Sequence, residues 1–169
     1  MISFNNIGNL GRLANQMFQY ASLKGIARNR GYDFSIPPQQ VFGQHDPLVR
    51  TSELNIYNVF ENIKNNNIQI SRNPILQERV HEFDEQLFRS CPDNVDFFGY
   101  YQSPKYFEHI KDEIKNDFKF SNEVESICND TTFFPLIDSY ISLHNDSTSS
   151  ENLKSFLISS LICSKYFGD

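Results

Sequence analysis

The chain has 169 residues, enough for one domain with a buried core. Its 39% hydrophobic and 21% charged residues exclude an intrinsically disordered chain. A formal net charge of −6 argues against non-specific binding to nucleic acid or to an acidic membrane surface.

In chain order, Ile2–Phe4 is a short apolar start that predicts a first strand, broken by Gly8 and Gly11. Leu13–Arg30 reads as a helix. Met17, Phe18, Tyr20, Ala21, Leu23 and Ile26 cover more than one of its faces, as in a helix packed on a sheet. Ala14, Ala21 and Gly25 are small enough to allow close approach to that sheet. Gly31 suits the left-handed position after a helix, and Asp33–Ile36 predicts a second strand stopped by Pro37-Pro38. Strand, glycine turn, helix and strand open a βαβ unit, so a parallel α/β sheet is expected.

Residues 39–95 carry weaker signals: a short helix over Ile56–Ile63, a loop at Asn65-Asn66-Asn67 and a short strand at Ile68–Ser71. Phe97–Tyr101 is a strand by its aromatic content. Ser103 is placed to cap a following helix, with Pro104 in its first position. Phe107, Ile110, Ile114 and Phe118 recur at spacings of three and four and form its apolar stripe. Ser121 is a candidate cap for another short helix. Tyr140–His144 reads as a strand and 145–152 as a polar loop. A last helix carries Leu153, Phe156, Leu157 and Leu161 on one face.

Cys91, Cys128 and Cys163 are an odd number at wide spacing with no CxxC pair. They predict free thiols in a reducing compartment and give no zinc or redox motif. Residues 1–6 lack a basic region followed by an apolar stretch, so no signal peptide is expected, and the sequons at Asn129 and Asn145 read as chance. No run of about 18 apolar residues is present to span a membrane. The expected location is cytoplasmic, with peripheral attachment to a membrane as a variant.

The stretch that carries chemistry is Gly8–Ala21. A polar, glycine-bearing turn, Gly8-Asn9-Leu10-Gly11-Arg12, runs straight into a mostly apolar helix. Such a turn can bring backbone N–H groups and a guanidinium to an anion. Asn15 offers donors and an acceptor suited to a sugar hydroxyl or a phosphate oxygen, and Arg12 could add a forked contact. The plainer alternatives are that Asn15 satisfies backbone groups of the turn and that Arg12 pairs with a surface carboxylate. Met17, Phe18 and Tyr20 read as core. His45, His81 and His109 lie in no constellation, and Asp84-Glu85 and Asp112-Glu113 read as solvated faces.

Gly11-Arg12-Leu13-Ala14-Asn15-Gln16-Met17-Phe18-Gln19-Tyr20-Ala21 resembles the GR(L/F)(G/A)NQMFQYA signature of α-1,2-fucosyltransferases, glycosyltransferase family 11. Gly99-Tyr100-Tyr101-Gln102-Ser103-Pro104-Lys105-Tyr106-Phe107 resembles that family's GY(F/Y)QS-x-KYF segment. Tyr140-Ile141-Ser142-Leu143-His144 is similar to the strand leading into its HxRRGDY motif. The resemblance implies a Rossmann-like parallel sheet with flanking helices over 1–144, similar to the N-terminal domain of a GT-B-type glycosyltransferase, followed by a divergent loop and amphipathic helix over 145–169. It implies transfer of L-fucose from GDP-fucose to a galactoside acceptor, with no cofactor and no obligatory metal. Carried over, the donor-side residues are Asn15, Arg12, Gly11, Gln16 and, as a vestige, His144; the resemblance leaves the catalytic base unassigned.

After His144 the family's two arginines and Gly-Asp-Tyr give way to Asn145-Asp146-Ser147-Thr148, and no Arg follows Arg89. Metal-free transfer from a nucleotide sugar needs fixed positive charge where charge builds on the diphosphate. The expectation is therefore a truncated enzyme, weak or inactive alone, without its donor domain, or one completed by a second chain. The alternative from another class is a non-catalytic carbohydrate- or protein-binding α/β domain. A dinucleotide-binding fold is disfavoured: Gly8-x-x-Gly11-x-x-Ala14 has the wrong spacing, and strand two ends without an acidic residue for a ribose.

Overall fold

The computed structural model describes residues 1–41, 55–65, 67–120 and 122. The elements in chain order are β1 (Ile2–Ser3), α1 (Leu13–Arg30), β2 (Phe34–Ser35), a 3-10 turn over Gln39–Val41, α2 (Ile56–Val59), a 3-10 turn over Asn62–Asn65, β3 (Ile75–Gln77), α3 (Glu85–Ser90), β4 (Asp96–Phe98), 3-10 turns over Pro104–Tyr106 and Glu108–Ile110, and α4 (Lys111–Asp117). The strands form one sheet in the order β2-β1-β4-β3, and every pair is parallel. Parallel neighbours need a crossover, which α1 supplies between β1 and β2. The fold is α/β and Rossmann-like, as expected.

β1 lies inside the sheet, and Ile2, Ser3 and Phe4 are fully buried. Its amides alternate between neighbours: Ile2 donates to Asp33 O, Ser3 to Val95 O and Phe4 to Ser35 O. α1 is buried over most of its circumference between Leu13 and Ala27, which explains apolar residues on several faces. It ends at Gly31, whose φ of 69° lets its N–H reach back to Ala27 O and Arg28 O.

Four expectations change. The helix over Ile56–Ile63 is two pieces, because the backbone turns extended at Phe60, which bridges to Phe120. Asn55 caps the first piece by accepting from Tyr57 N and Asn58 N. Ile68–Ser71 is not a strand: Ile68 makes a single bridge to Ile36, and the edge strand is Ile75–Gln77, too short and too exposed to show an alternating pattern. β4 stops at Phe98, where Gly99 and Tyr101 take φ of 151° and 51° and turn the chain. Residues 104–118 are two 3-10 turns and a short α-helix; Ser103 makes no side-chain cap, yet Phe107, Ile110, Ile114 and Phe118 are all buried. The burial stripe survives because 3-10 and α turns both bring positions three or four apart to one side.

Gly25 also has a different neighbour from the one expected. A Cβ there would stand 2.1 Å from the carbonyl oxygen of Tyr106, so its small size admits residues 104–107 rather than the sheet. Next to that contact, Lys24 and Asp117 form a buried ion pair at 2.6 Å, and Tyr20 adds a 2.9 Å hydrogen bond to the same carboxylate. Asp112 stays exposed, but Glu113 pairs with Arg28 at 3.0 Å and with Lys24 at 3.4 Å. Ser121, Cys128, Cys163, Tyr140–His144, the 145–152 loop and the helix after it lie outside the described residues, as do His45 and the sequons.

Candidate functional site

In a parallel α/β sheet, ligands meet the loops beyond the carboxyl ends of the strands. Here β1 and β4 are central neighbours, and their loops carry the two distinctive sequence stretches. Gly8 and Gly11 take φ of 83° and 84° in the first loop, which brings the chain round into α1. Below the loops Asp96 is buried, accepting from Ser3 Oγ at 2.9 Å and Asn5 N at 2.8 Å. Asn5 in turn donates to Ser71 O at 2.8 Å and accepts from Ser71 N at 3.3 Å. These contacts fix the loop after β1 from beneath.

The two stretches, about 80 residues apart in sequence, are packed onto each other residue by residue. Gln19 Nε2 donates to Leu10 O at 3.1 Å and to Gly99 O at 3.0 Å. Ser22 Oγ donates to Tyr101 O at 2.8 Å. Gly25 receives Tyr106. At the mouth, Gln102 Nε2 donates to Asn15 Oδ1. The helix face Asn15–Gln19–Ser22–Gly25 and the segment 99–106 therefore form one wall.

Gly11 and Asn15 are interdependent. A Cβ on Gly11 would lie 2.0 Å from Asn15 Nδ2, so the absent side chain is the room that Asn15 uses. Arg12 is the half-buried N-terminal cap residue of α1, with no side-chain cap bond and with Gln16 N bonded to its carbonyl at 3.0 Å. Gln16 lies one turn of chain beyond Arg12 on the same helix. It is fully buried under α2, where its Oε1 accepts from Ile56 N at 3.2 Å, while its Nε2 is buried without a hydrogen-bond partner. His144 is outside the described residues.

The segment 99–102 is held from its other side by Glu78, which the sequence did not single out. Its Oε2 accepts from Tyr100 N at 2.7 Å and its Oε1 from Tyr101 N at 2.9 Å. A cavity of about 210 Å³ adjoins this contact, lined by Leu76, Glu78, Asp84, Leu87, Tyr101 and Tyr106 among others. Burial pushes the Tyr101 and Tyr106 phenols up, so both stay protonated near neutrality. Tyr101 donates to Leu76 O and Tyr106 accepts from Asp84 N, which are structural uses of the hydroxyls.

Asp84 is not the solvated carboxylate that its sequence context suggests. It caps α3 by accepting from Leu87 N at 2.9 Å and pairs with Arg79 at 2.7 Å. The Leu87 amide, with help from Arg79, holds its carboxyl below the usual range. Cys91 is a free, buried thiol that burial pushes up to about 11, which leaves it unreactive. Among the described residues no three His, Cys, Asp or Glu side chains gather in a metal-holding group. No helix among them is long and apolar enough to cross a membrane.

Glu78, Asp96, Gln19 and Ser22 were missed. Gln19 and Ser22 left a signal, being polar residues inside an otherwise buried helix, where each must find a partner. Glu78 left none, because its partners are two backbone amides in another strand's loop.

Comparison with known proteins supports the resemblance carried by these stretches. The chain is 27% identical over 125 residues to galactoside alpha-(1,2)-fucosyltransferase 2 of Sus scrofa, across 73% of this chain and 34% of that protein. It thus spans about a third of the length of that curated relative. No family model matches the chain, and no solved structure matches it.

Proposed function

We propose that the chain is a fucosyltransferase-like protein whose described domain supplies one wall of a cleft for GDP-fucose and a galactoside acceptor. The activity, by analogy, is transfer of L-fucose to a galactoside hydroxyl, with no cofactor and no obligatory metal. One observation carries the reading: the two stretches that resemble the α-1,2-fucosyltransferase signatures meet as a single wall at the carboxyl edge of the sheet. Within that wall Asn15 Oδ1 is engaged by Gln102, so its NH₂ group beside Gly11 is the part suited to a sugar or phosphate oxygen. Arg12, at the start of the same helix, is suited to the diphosphate.

Residues 1–169 hold no Arg beyond Arg89, so the fixed positive charge expected opposite this wall is not supplied by an HxRRGDY motif. Weak donor binding and little turnover by 1–169 alone follow, with completion by a second chain as a variant. A cytoplasmic location belongs to the same proposal and is compatible with the free thiol of Cys91.

Equilibrium dialysis of 1–169 against GDP-fucose and, separately, lactose tests this. The expected result is GDP-fucose binding weaker than about 100 μM that Asn15→Ala removes. Micromolar affinity, or rapid release of GDP when lactose is added, contradicts the weak-alone clause. Binding of lactose with no binding of GDP-fucose replaces the reading with a non-catalytic carbohydrate-binding domain.

A further inference from the structure

We infer that Glu78 is the positioning residue of this wall: its carboxylate sets the Gly99–Gln102 turn and thereby places Gln102 on Asn15. What the placed pair binds rests on the proposed function; the placement itself does not.

The turn is clamped from two sides with a clean division of labour. Its carbonyls go to α1, Gly99 O to Gln19 and Tyr101 O to Ser22. Its amides go to Glu78, Tyr100 N to one carboxylate oxygen and Tyr101 N to the other. A carboxylate that accepts from two successive amides fixes the peptide planes between them as well as their distance. That matters because the turn is not one the chain adopts by default. Tyr101 sits at φ 51°, a left-handed conformation that costs a residue with a side chain. Gly99 sits at φ 151°, and a Cβ there would lie 2.4 Å from Glu78 Cβ and 2.6 Å from its Oε2. Gly99 is thus required by Glu78 as well as by its own backbone.

Glu78 is itself anchored, since its N–H donates to Phe98 O at 2.8 Å as the last rung between β3 and β4. The carboxylate therefore reports the register of the edge strand to the turn. One consequence reaches the mouth of the cleft. Gln102, exposed and one residue past the clamp, meets Asn15. Tyr100, whose own amide is one of the two clamped, is 38% exposed.

Hydrogen exchange and side-chain amide spectra of ¹⁵N-labelled 1–169, with no ligand present, test the placement. In Glu78→Ala the Tyr100 and Tyr101 amides should exchange about ten-fold faster or more, and the Gln102 side-chain NH₂ signals should move towards free-glutamine positions. Amides of Tyr20 and Leu23 in α1 should keep their rates. Glu78→Gln, which keeps one acceptor oxygen, should protect one of the two turn amides; it carries the test if the alanine variant does not fold. Unchanged Gln102 signals overturn the proposal, and so does equal acceleration in α1, which would make Glu78 merely a stabilising residue. GDP is then added as a probe: tighter GDP binding by either variant would show a self-blocked anion site and also overturn it. Failure of the wild-type chain to respond to GDP counts against the proposed function, while the ligand-free exchange still decides Glu78.

Discussion

Residues 13–30 and residues 99–118 form the two halves of one wall, and they keep their shapes by different means. The first is a continuous helix whose backbone bonds close within itself and whose end is fixed by Gly31. The second is a left-handed turn, two 3-10 turns and seven helical residues, and its shape is lent by other parts of the chain. Glu78 holds its amides, Gln19 and Ser22 its carbonyls, and Lys24 its far end through Asp117. A helix of 18 residues presents functional groups at spacings it sets alone; a turn presents them only where its neighbours allow.

The sharpest way to break this dependence is Asp117→Ala. Removing the carboxylate leaves the nearly buried Lys24 with the longer, half-exposed contact to Glu113 and takes the acceptor from Tyr20, a loss of about 3 kcal/mol in urea unfolding. Hydrogen exchange should show 104–118 opening while the middle of α1 stays protected. The exposed Arg28–Glu113 pair gives the contrast: Glu113→Gln should cost about 1 kcal/mol or less.

Gly25→Ala comes next. Alanine favours a helix by about 1 kcal/mol over glycine, yet its Cβ would strike the Tyr106 carbonyl, a backbone atom that cannot turn aside. A net loss of about 2 kcal/mol is expected. A stabilised protein would show that the two halves are not in contact here. Gly99→Ala should cost about 2 kcal/mol through its φ and its collision with Glu78, and it should move the Gln102 side-chain signals.

The smallest effect is on acid stability. Glu113 has its pKa lowered despite some burial, by Arg28 and Lys24, and the Leu87 amide and Arg79 lower that of Asp84. A carboxyl with a lowered folded pKa stabilises above its unfolded value, 4.5 and 3.8 here, and loses that contribution as pH falls through the folded one. Tm should therefore decline from about pH 5 downwards, and less steeply in Glu113→Gln.

The same contrast explains what could be read from the sequence. α1, its glycine cap, the strands beside it and the parallel order follow from local pattern, because apolar burial and left-handed glycine act over a few residues. The stripe Phe107–Ile110–Ile114–Phe118 was legible as burial but not as a single helix, since its backbone is shaped by α1 and Glu78. β3 was displaced from Ile68–Ser71 to Ile75–Gln77 because an edge strand three residues long has little pattern to show. At the wall, the packing of Asn15 against Gly11 and Gln102 is not visible in the sequence, although the stretch that holds Gly11 and Asn15 is. Gln16 in the same stretch meets α2 through Ile56, and nothing in a run of letters distinguishes two sides of a helix buried on both.

The most direct test of a shared wall is a titration of ¹⁵N-labelled 1–169 with GDP-fucose, followed at the side-chain amides of Asn15 and Gln102. Both pairs should shift together along one binding curve, and the Gln102 pair should stay still in Asn15→Ala. Saturating GDP-fucose that leaves both pairs unmoved, or that moves Gln102 equally without Asn15, would contradict the account.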